Sequence, residues 1–291
     1  MRLVSQTLPF PQSPGNKMQL PTQDTVFSSI IETLRERYQP ELVPYIHVIH
    51  AVPEDFSLAN LPTSPPSTPG TSSRNSLSTL GNSSSTLGSR MDYFDSLGSN
   101  ANSVFASAST VPAYHDTFGF SRQVNWPHPI VPPFSTHISV LERYIPPSTP
   151  HEYRDLFSYG RPSVLADRML ELSPLGGCLL FIYPTKRGAT TFKSQYLGPI
   201  LDPLLRHLVV VDGFSADVSR DIGRLEAASS MEDFHTMKAN IEELCQQWSN
   251  PASRFSLVGS ERGLAPLDPK LWKEWYVQQE RPRIKDLLSR N

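Results

Sequence analysis

The stretch of residues 170–185, Leu-Glu-Leu-Ser-Pro-Leu-Gly-Gly-Cys-Leu-Leu-Phe-Ile-Tyr-Pro-Thr, constrains the fold more than any other part of this chain. It reads as a helix end, a Pro-Leu-Gly-Gly turn, a buried strand over 178–183, and a loop feeding the next helix. That is the repeating unit of parallel α/β sheets, which carry helices on both faces. Such sheets place ligands at the carboxyl ends of their strands. Here that end is Tyr183, Pro184, Thr185, Lys186, Arg187 and Gly188.

Similar units are legible on either side. Asp24 and Thr25 start a helix whose apolar face is Val26, Phe27, Ile30, Ile31 and Leu34. Residues 45–52 (Tyr-Ile-His-Val-Ile-His-Ala-Val) form a β-branched strand, and residues 137–145 alternate in part, as a strand does. Thr149-Pro150-His151-Glu152 is a helix-start signature, with Thr as cap, Pro first and Glu third. A second helix follows over about 162–172. Another runs from about Ala189 and kinks near Gly198-Pro199. Leu208, Val209, Val210 and Val211 read as a short buried strand ending at Asp212. Ser215 caps a helix carrying Val218, Ile222 and Leu225. An amphipathic helix spans about 231–248. Residues 255–258 and 275–279 read as two last strands, able to pair as an antiparallel edge.

Between these units the composition changes. From Ser57 to Leu141 there is no Lys and no Glu, and Ser, Thr, Asn, Gly and Pro dominate. Hydrophobic residues make up 38% of the 291-residue chain, with 28 Pro, against ~45–50% apolar residues, Gly included, in ordinary domains. The expected organisation is therefore a disordered segment 1–23, a first helix and strand in 24–56, a disordered Ser/Thr/Pro-rich insertion 57–135, the main α/β part in 136–280, and a charged tail 281–291. The insertion holds aromatic clusters around Tyr93-Phe94, Tyr114–Phe120 in sequence, and Trp126–Phe134, which either serve as short docking motifs or pack loosely back on the domain.

Net charge is −2 with a pI near 6.4, so no global field favours nucleic acid or an anionic membrane. No apolar run reaches the ~18–20 residues of a membrane span, and the N-terminus lacks the apolar core of a secretory signal. The expectation is a cytoplasmic or nuclear protein. Cys178 and Cys245 read as reduced core thiols.

Helix, Leu-Ser-Pro-Leu-Gly-Gly turn and strand 178–183 together resemble the C-terminal half of class I S-adenosylmethionine-dependent methyltransferases, whose "Leu-x-Pro-Gly-Gly" turn is matched with one inserted residue. The resemblance covers about half the chain, from Ile138 onward, and implies a Rossmann-like sheet. It assigns the strands at 255–258 and 275–279 to the family's closing hairpin. The family's acidic-x-Gly-x-Gly cofactor loop has no counterpart, because Gly-x-Gly occurs nowhere in this chain. Too little chain before Tyr45 reads as ordered to supply the family's first strands.

Candidate sites follow from residue chemistry. Thr185, Lys186, Arg187 and Gly188 form a strand-to-helix loop with two cations, suited to an anion. The Gly-x4-Gly-Lys-Ser/Thr spacing of a P-loop is absent. His47 and His50 lie three apart on a strand, so they face opposite ways and cannot share a metal. Single His207 and His235 lack ligand spacing. Glu54-Asp55 and Asp212 sit at strand exits. No metal centre and no Gly-x-Ser-x-Gly elbow is present. Ser13, Ser64 and Thr68 precede prolines and Ser76 follows Arg74, so all four are candidate phosphorylation sites. The reading that results is a non-catalytic regulatory or protein-interaction protein with no cofactor and a protein partner. The alternative is a methyltransferase whose S-adenosylmethionine pocket is atypical or completed by a partner. A third is an enzyme binding a phosphate ligand at Lys186-Arg187.

Overall fold

The computed structural model describes residues 1–8, 26–37, 46–52, 105–112, 130–158, 163–250, 253–265, 267 and 271–289. Its centre is a five-stranded sheet in the order β3-β2-β1-β4-β5, with every neighbouring pair parallel. The strands are β1 (Arg2–Leu8), β2 (Ile46–Val52), β3 (Phe105–Pro112), β4 (Ile138–Arg143) and β5 (Cys178–Ile182). Helix α1 (Val26–Arg37) lies between β1 and β2 in sequence. Helices α2 (Pro150–Leu156) and α3 (Val164–Leu170) lie between β4 and β5.

Strand register sorts the side chains onto two faces. Leu3 pairs with Val48 and with Ile138, and these three pack with Phe27 and Leu34 of α1. On the opposite face Val4, Ile49 and Ala51 meet Ile130 and Val131. Leu141, on that second face, packs against Leu165 and Met169 of α3 and against Leu244 and Cys245. The last two belong to α8 (Phe234–Trp248). Helices therefore cover both faces, as the opening motif predicts.

The Pro-Leu-Gly-Gly turn works through backbone proximity. Ser173 N–H donates to the Thr136 carbonyl at 2.7 Å, and Gly177 N–H donates to the Ser173 carbonyl at 2.8 Å. A Cβ on Gly177 would lie 2.6 Å from Ser173 N and 2.8 Å from Thr136 O, so only glycine fits. Gly176 has φ +94°, in the left-handed region. Leu175, at the tip of the turn, is 94% exposed.

Beyond β5 the chain is helical. Helix α4 (Lys186–Thr191) runs through a π-helical turn (Phe192–Leu197) into α5 (Gly198–Val210), then come α6 (Ala216–Ile222), α7 (Glu226–Ser230), α8 and α9 (Leu271–Ser289). The predicted kink at Gly198-Pro199 is thus a change from π to α geometry. Two caps stand as read: Thr149 Oγ1 accepts from Glu152 N–H at 3.2 Å, and Ser215 Oγ accepts from Asp217 N–H at 3.2 Å.

Several expectations are corrected. Residues 2–8, assigned to a disordered segment, form the central strand, with Leu3 and Val4 fully buried. Residues 105–112, assigned to the insertion, pair with β2, and 130–135 are ordered too. Leu208, Val209 and Val210 finish α5 instead of forming a strand; Val210 and Val211 are solvent-exposed, so their β-branching serves no sheet. Residues 255–258 run without strand pairing, and 275–279 lie inside α9. Among the described residues β5 therefore has no strand on its outer side. Cys178 is exposed there, while Cys245 is buried as expected. The tail from Arg281 to Ser289 continues α9.

Candidate functional site

The chain order reverses between β1 and β4: β2 and β3 extend the sheet on one side of β1, β5 on the other. In open α/β sheets the crevice above such a reversal is where ligands lie. Its floor is unusually polar for a sheet interior. Gln6, Thr7, Glu142 and Arg143 are all buried at the carboxyl ends of β1 and β4.

Glu142 has no solvent exposure. Its Oε1 accepts from the Phe27 N–H at 3.2 Å and from the Tyr144 hydroxyl at 2.9 Å. The Val26 N–H donates in turn to the Tyr144 oxygen at 3.4 Å. The first two N–H groups of α1 are thereby aimed at a carboxyl from β4 and its tyrosine neighbour. A helix amino end stabilises negative charge. Burial nevertheless dominates and raises the Glu142 pKa, with the Tyr144 and Phe27 hydrogen bonds pulling it down. Glu142 Oε2 has no hydrogen-bond partner among the described residues. Burial, reinforced by the Glu142 charge, also raises the Tyr144 pKa. His50 on β2 sits on the same face, its ring edge-on to Phe27 at 5.4 Å, and burial pushes its pKa down to about 4. His47 is lowered mainly by partial burial, with Arg2 and the terminal amine adding to the effect.

Arg143 points to the other face and ties the sheet to the helices. Its guanidinium donates to Glu152 Oε1 of α2 and to Gln279 Oε1 of α9, each at 2.5 Å. Nε donates to the Ile145 carbonyl at 3.0 Å. The chain of contacts continues through Glu280, which accepts from Ser148 and from Arg283. Tyr144 also stacks on Trp275 of α9 at 5.8 Å. A second buried pair, Arg168 and Glu171 at 2.7 Å, fixes the segment after residue 129: Glu171 Oε1 accepts from the Ile130 and Val131 N–H groups. Burial raises the Glu171 pKa, opposed by Arg168.

A cleft of about 490 Å³ lies between α2 and α8, lined by Pro150, Tyr153, Arg154 and Phe157 from α2 and its end, by Ser230 and Glu232, and by Asn240, Glu243, Leu244 and Gln247 of α8. Glu232 connects it to the exit of β5: its carbonyl accepts from Lys186 N–H at 2.8 Å. Its N–H donates to the Tyr153 hydroxyl at 3.3 Å. Tyr153 is pushed up to about 12, chiefly by burial.

The loop Thr185–Gly188, expected from its sequence to suit an anion, lies at that same exit. Thr185 caps α4, and its Oγ1 accepts from Gly188 N–H at 3.4 Å. The N–H groups of Lys186 and Ala189 are also taken, by the carbonyls of Glu232 and Thr185. The Lys186 and Arg187 side chains and Gly188 are exposed. Asp212, His207 and His235 are exposed and dispersed. Ser13, Glu54, Asp55, Ser64, Thr68 and Ser76 lie outside the described residues. Among the described residues no cluster of His, Cys, Asp and Glu could hold a metal, and no helix is long and apolar enough to cross a membrane.

Sequence reasoning missed Glu142 and Arg143. The available signal was a Glu-Arg pair inside an otherwise apolar strand, Ile-Ser-Val-Leu-Glu-Arg-Tyr-Ile. No protein-family model, curated protein or solved structure matches the chain.

Proposed function

We propose that this chain is a non-catalytic regulatory or protein-interaction protein built on a methyltransferase-like Rossmann domain that has lost its cofactor site. The observation that carries this reading is the occupant of the helix end at the strand-order reversal. In nucleotide-binding sheets of this kind, the helix after β1 offers free N–H groups to a ligand phosphate or carboxylate. Here the Phe27 N–H is bonded to the buried Glu142 carboxyl and the Val26 N–H to Tyr144. An incoming anion would have to displace a side chain that has nowhere solvated to go. The absence of any Gly-x-Gly points the same way. In this reading Ser13, Ser64, Thr68 and Ser76 are phosphate acceptors on the Ser/Thr-rich segments, and added charge there regulates docking to a protein partner.

Calorimetric titration with S-adenosylmethionine tests the proposal. No binding heat is expected. Micromolar binding that disappears when Glu54 and Asp55 are replaced overturns it in favour of an active methyltransferase with an atypical or partner-completed pocket. One observation favours that second reading: the order β3-β2-β1-β4-β5 is the one dinucleotide-binding sheets use, with a strand in the first position.

A further inference from the structure

The cleft beside α2 and α8 has a charge arrangement that the Glu142 site does not explain. One cationic residue, Arg154, and two acidic residues, Glu232 and Glu243, are among those lining it. Among the described residues no ion pair joins Arg154 to either acid. Each acid is held instead by a neutral amide. Asn240 Nδ2 donates to Glu232 Oε2 at 2.6 Å, and Gln247 Nε2 donates to Glu243 Oε1 at 2.9 Å. An amide donor orients a carboxylate but leaves its charge in place. Residues of opposite charge thus line one cleft without pairing with each other.

The setting is fixed. The Glu232 backbone is bonded on both sides, by Lys186 N–H and by the Tyr153 hydroxyl. Tyr153 is buried, and Phe157 packs edge-on against it at 5.5 Å, giving the cleft an aromatic wall beside Leu244. Its volume of about 490 Å³ is at the small end of ligand sites. A simple anion meets two carboxylates here. A simple amine meets the guanidinium. A ligand carrying both charges has a residue of opposite sign for each.

We propose that this cleft binds a free α-amino acid with an apolar side chain, its carboxylate on Arg154, its ammonium between Glu232 and Glu243, and its side chain against Phe157 and Leu244. This site is separate from the Glu142 crevice, and the inference stands whether or not the chain binds S-adenosylmethionine. Both charges contribute because a single exposed ion pair is worth little in water.

The test is ligand-observed NMR and calorimetry on the full chain with L-phenylalanine, L-leucine and L-methionine as probes. At least one binds, and its N-acetyl and its amide derivatives, each lacking one charge, bind about tenfold weaker or more. Arg154→Ala abolishes the carboxylate preference, and Glu232→Gln with Glu243→Gln abolishes the ammonium preference. Arg154 and Glu243 are exposed, so circular dichroism of Arg154→Ala and of Glu243→Gln serves as the folding control. The proposal is overturned if no probe binds, if capped and free amino acids bind equally, or if Arg154→Ala leaves affinity unchanged.

Discussion

At the residue scale the informative groups are titratable side chains inside the sheet, and their pH dependences oppose one another. Burial raises Glu142 in the folded state, so the fold holds that proton more tightly than the unfolded chain does. The resulting stabilisation is complete below the unfolded value of about 4.5 and is lost as pH rises through the folded value. Burial lowers His50 from 6.5 to about 4. The fold therefore prefers the neutral imidazole, with a stabilisation present above pH 6.5 and lost as pH falls through about 4. That difference corresponds to something on the order of 3 kcal/mol. Urea denaturation between pH 4 and 8 should show His50→Phe flattening the acid limb, whatever its effect on absolute stability. Glu142→Gln should remove the decline at higher pH while keeping an oxygen for the Phe27 N–H and the Tyr144 hydroxyl. Glu142→Ala should cost about 1–3 kcal/mol, because both donors are then left without an acceptor. An unchanged pH profile in Glu142→Gln would show that this carboxyl is not the titrating group.

At the element scale the turn before β5 gives a paired test. Ala at 177 puts its Cβ against the backbone of Ser173 and Thr136, where nothing flexible can yield, so Gly177→Ala should cost at least about 2 kcal/mol. Ala at 176 meets no atom within 4 Å but must adopt φ +94°, and about 1 kcal/mol is expected. Thermal unfolding of the two variants should rank them in that order; equal effects would mean the close approach is absent. This turn was legible because glycine, proline and a β-branched or aromatic run each speak for themselves locally. The Thr149 and Ser215 caps were legible for the same reason. Helix α9 was not. Its buried face is Trp272, Trp275, Tyr276, Gln279 and Glu280, which is helical spacing, but two of those five, Gln279 and Glu280, are polar because they pair with Arg143 and Ser148 on the sheet side. Hydropathy alone hides such a period, and Trp275-Tyr276-Val277 then reads as a strand. Arg143 and Glu142 were hidden by the same effect: charges at a strand exit look solvated until the helices that bury them are in place.

At the scale of the whole molecule everything depends on β1. Its sequence, Arg-Leu-Val-Ser-Gln-Thr-Leu, is half polar and leads into a segment rich in Pro and Gln, so composition argues for disorder. Tertiary context overrides that argument. Parallel neighbours on both sides satisfy its backbone. Among its polar side chains, Gln6 receives Arg168 at 3.4 Å, and Ser5, Gln6 and Thr7 are all buried. The strand joins β3-β2 to β4-β5, and no other described pairing bridges the two halves. A central strand opens only when the whole sheet opens. The amides of Val4, Ser5, Gln6 and Thr7 should therefore exchange with solvent deuterium as slowly as the most protected amides of β4. Their protection should track global stability when denaturant is added below the unfolding midpoint. Removal of residues 1–8 should abolish the cooperative unfolding transition, since it exposes Leu3's partners Val48 and Ile138 together with the inner edges of β2 and β4. Exchange of these amides within seconds, or a truncated chain that still unfolds cooperatively at the same midpoint, would place the centre of the sheet elsewhere and remove the strand-order reversal on which the Glu142 site depends.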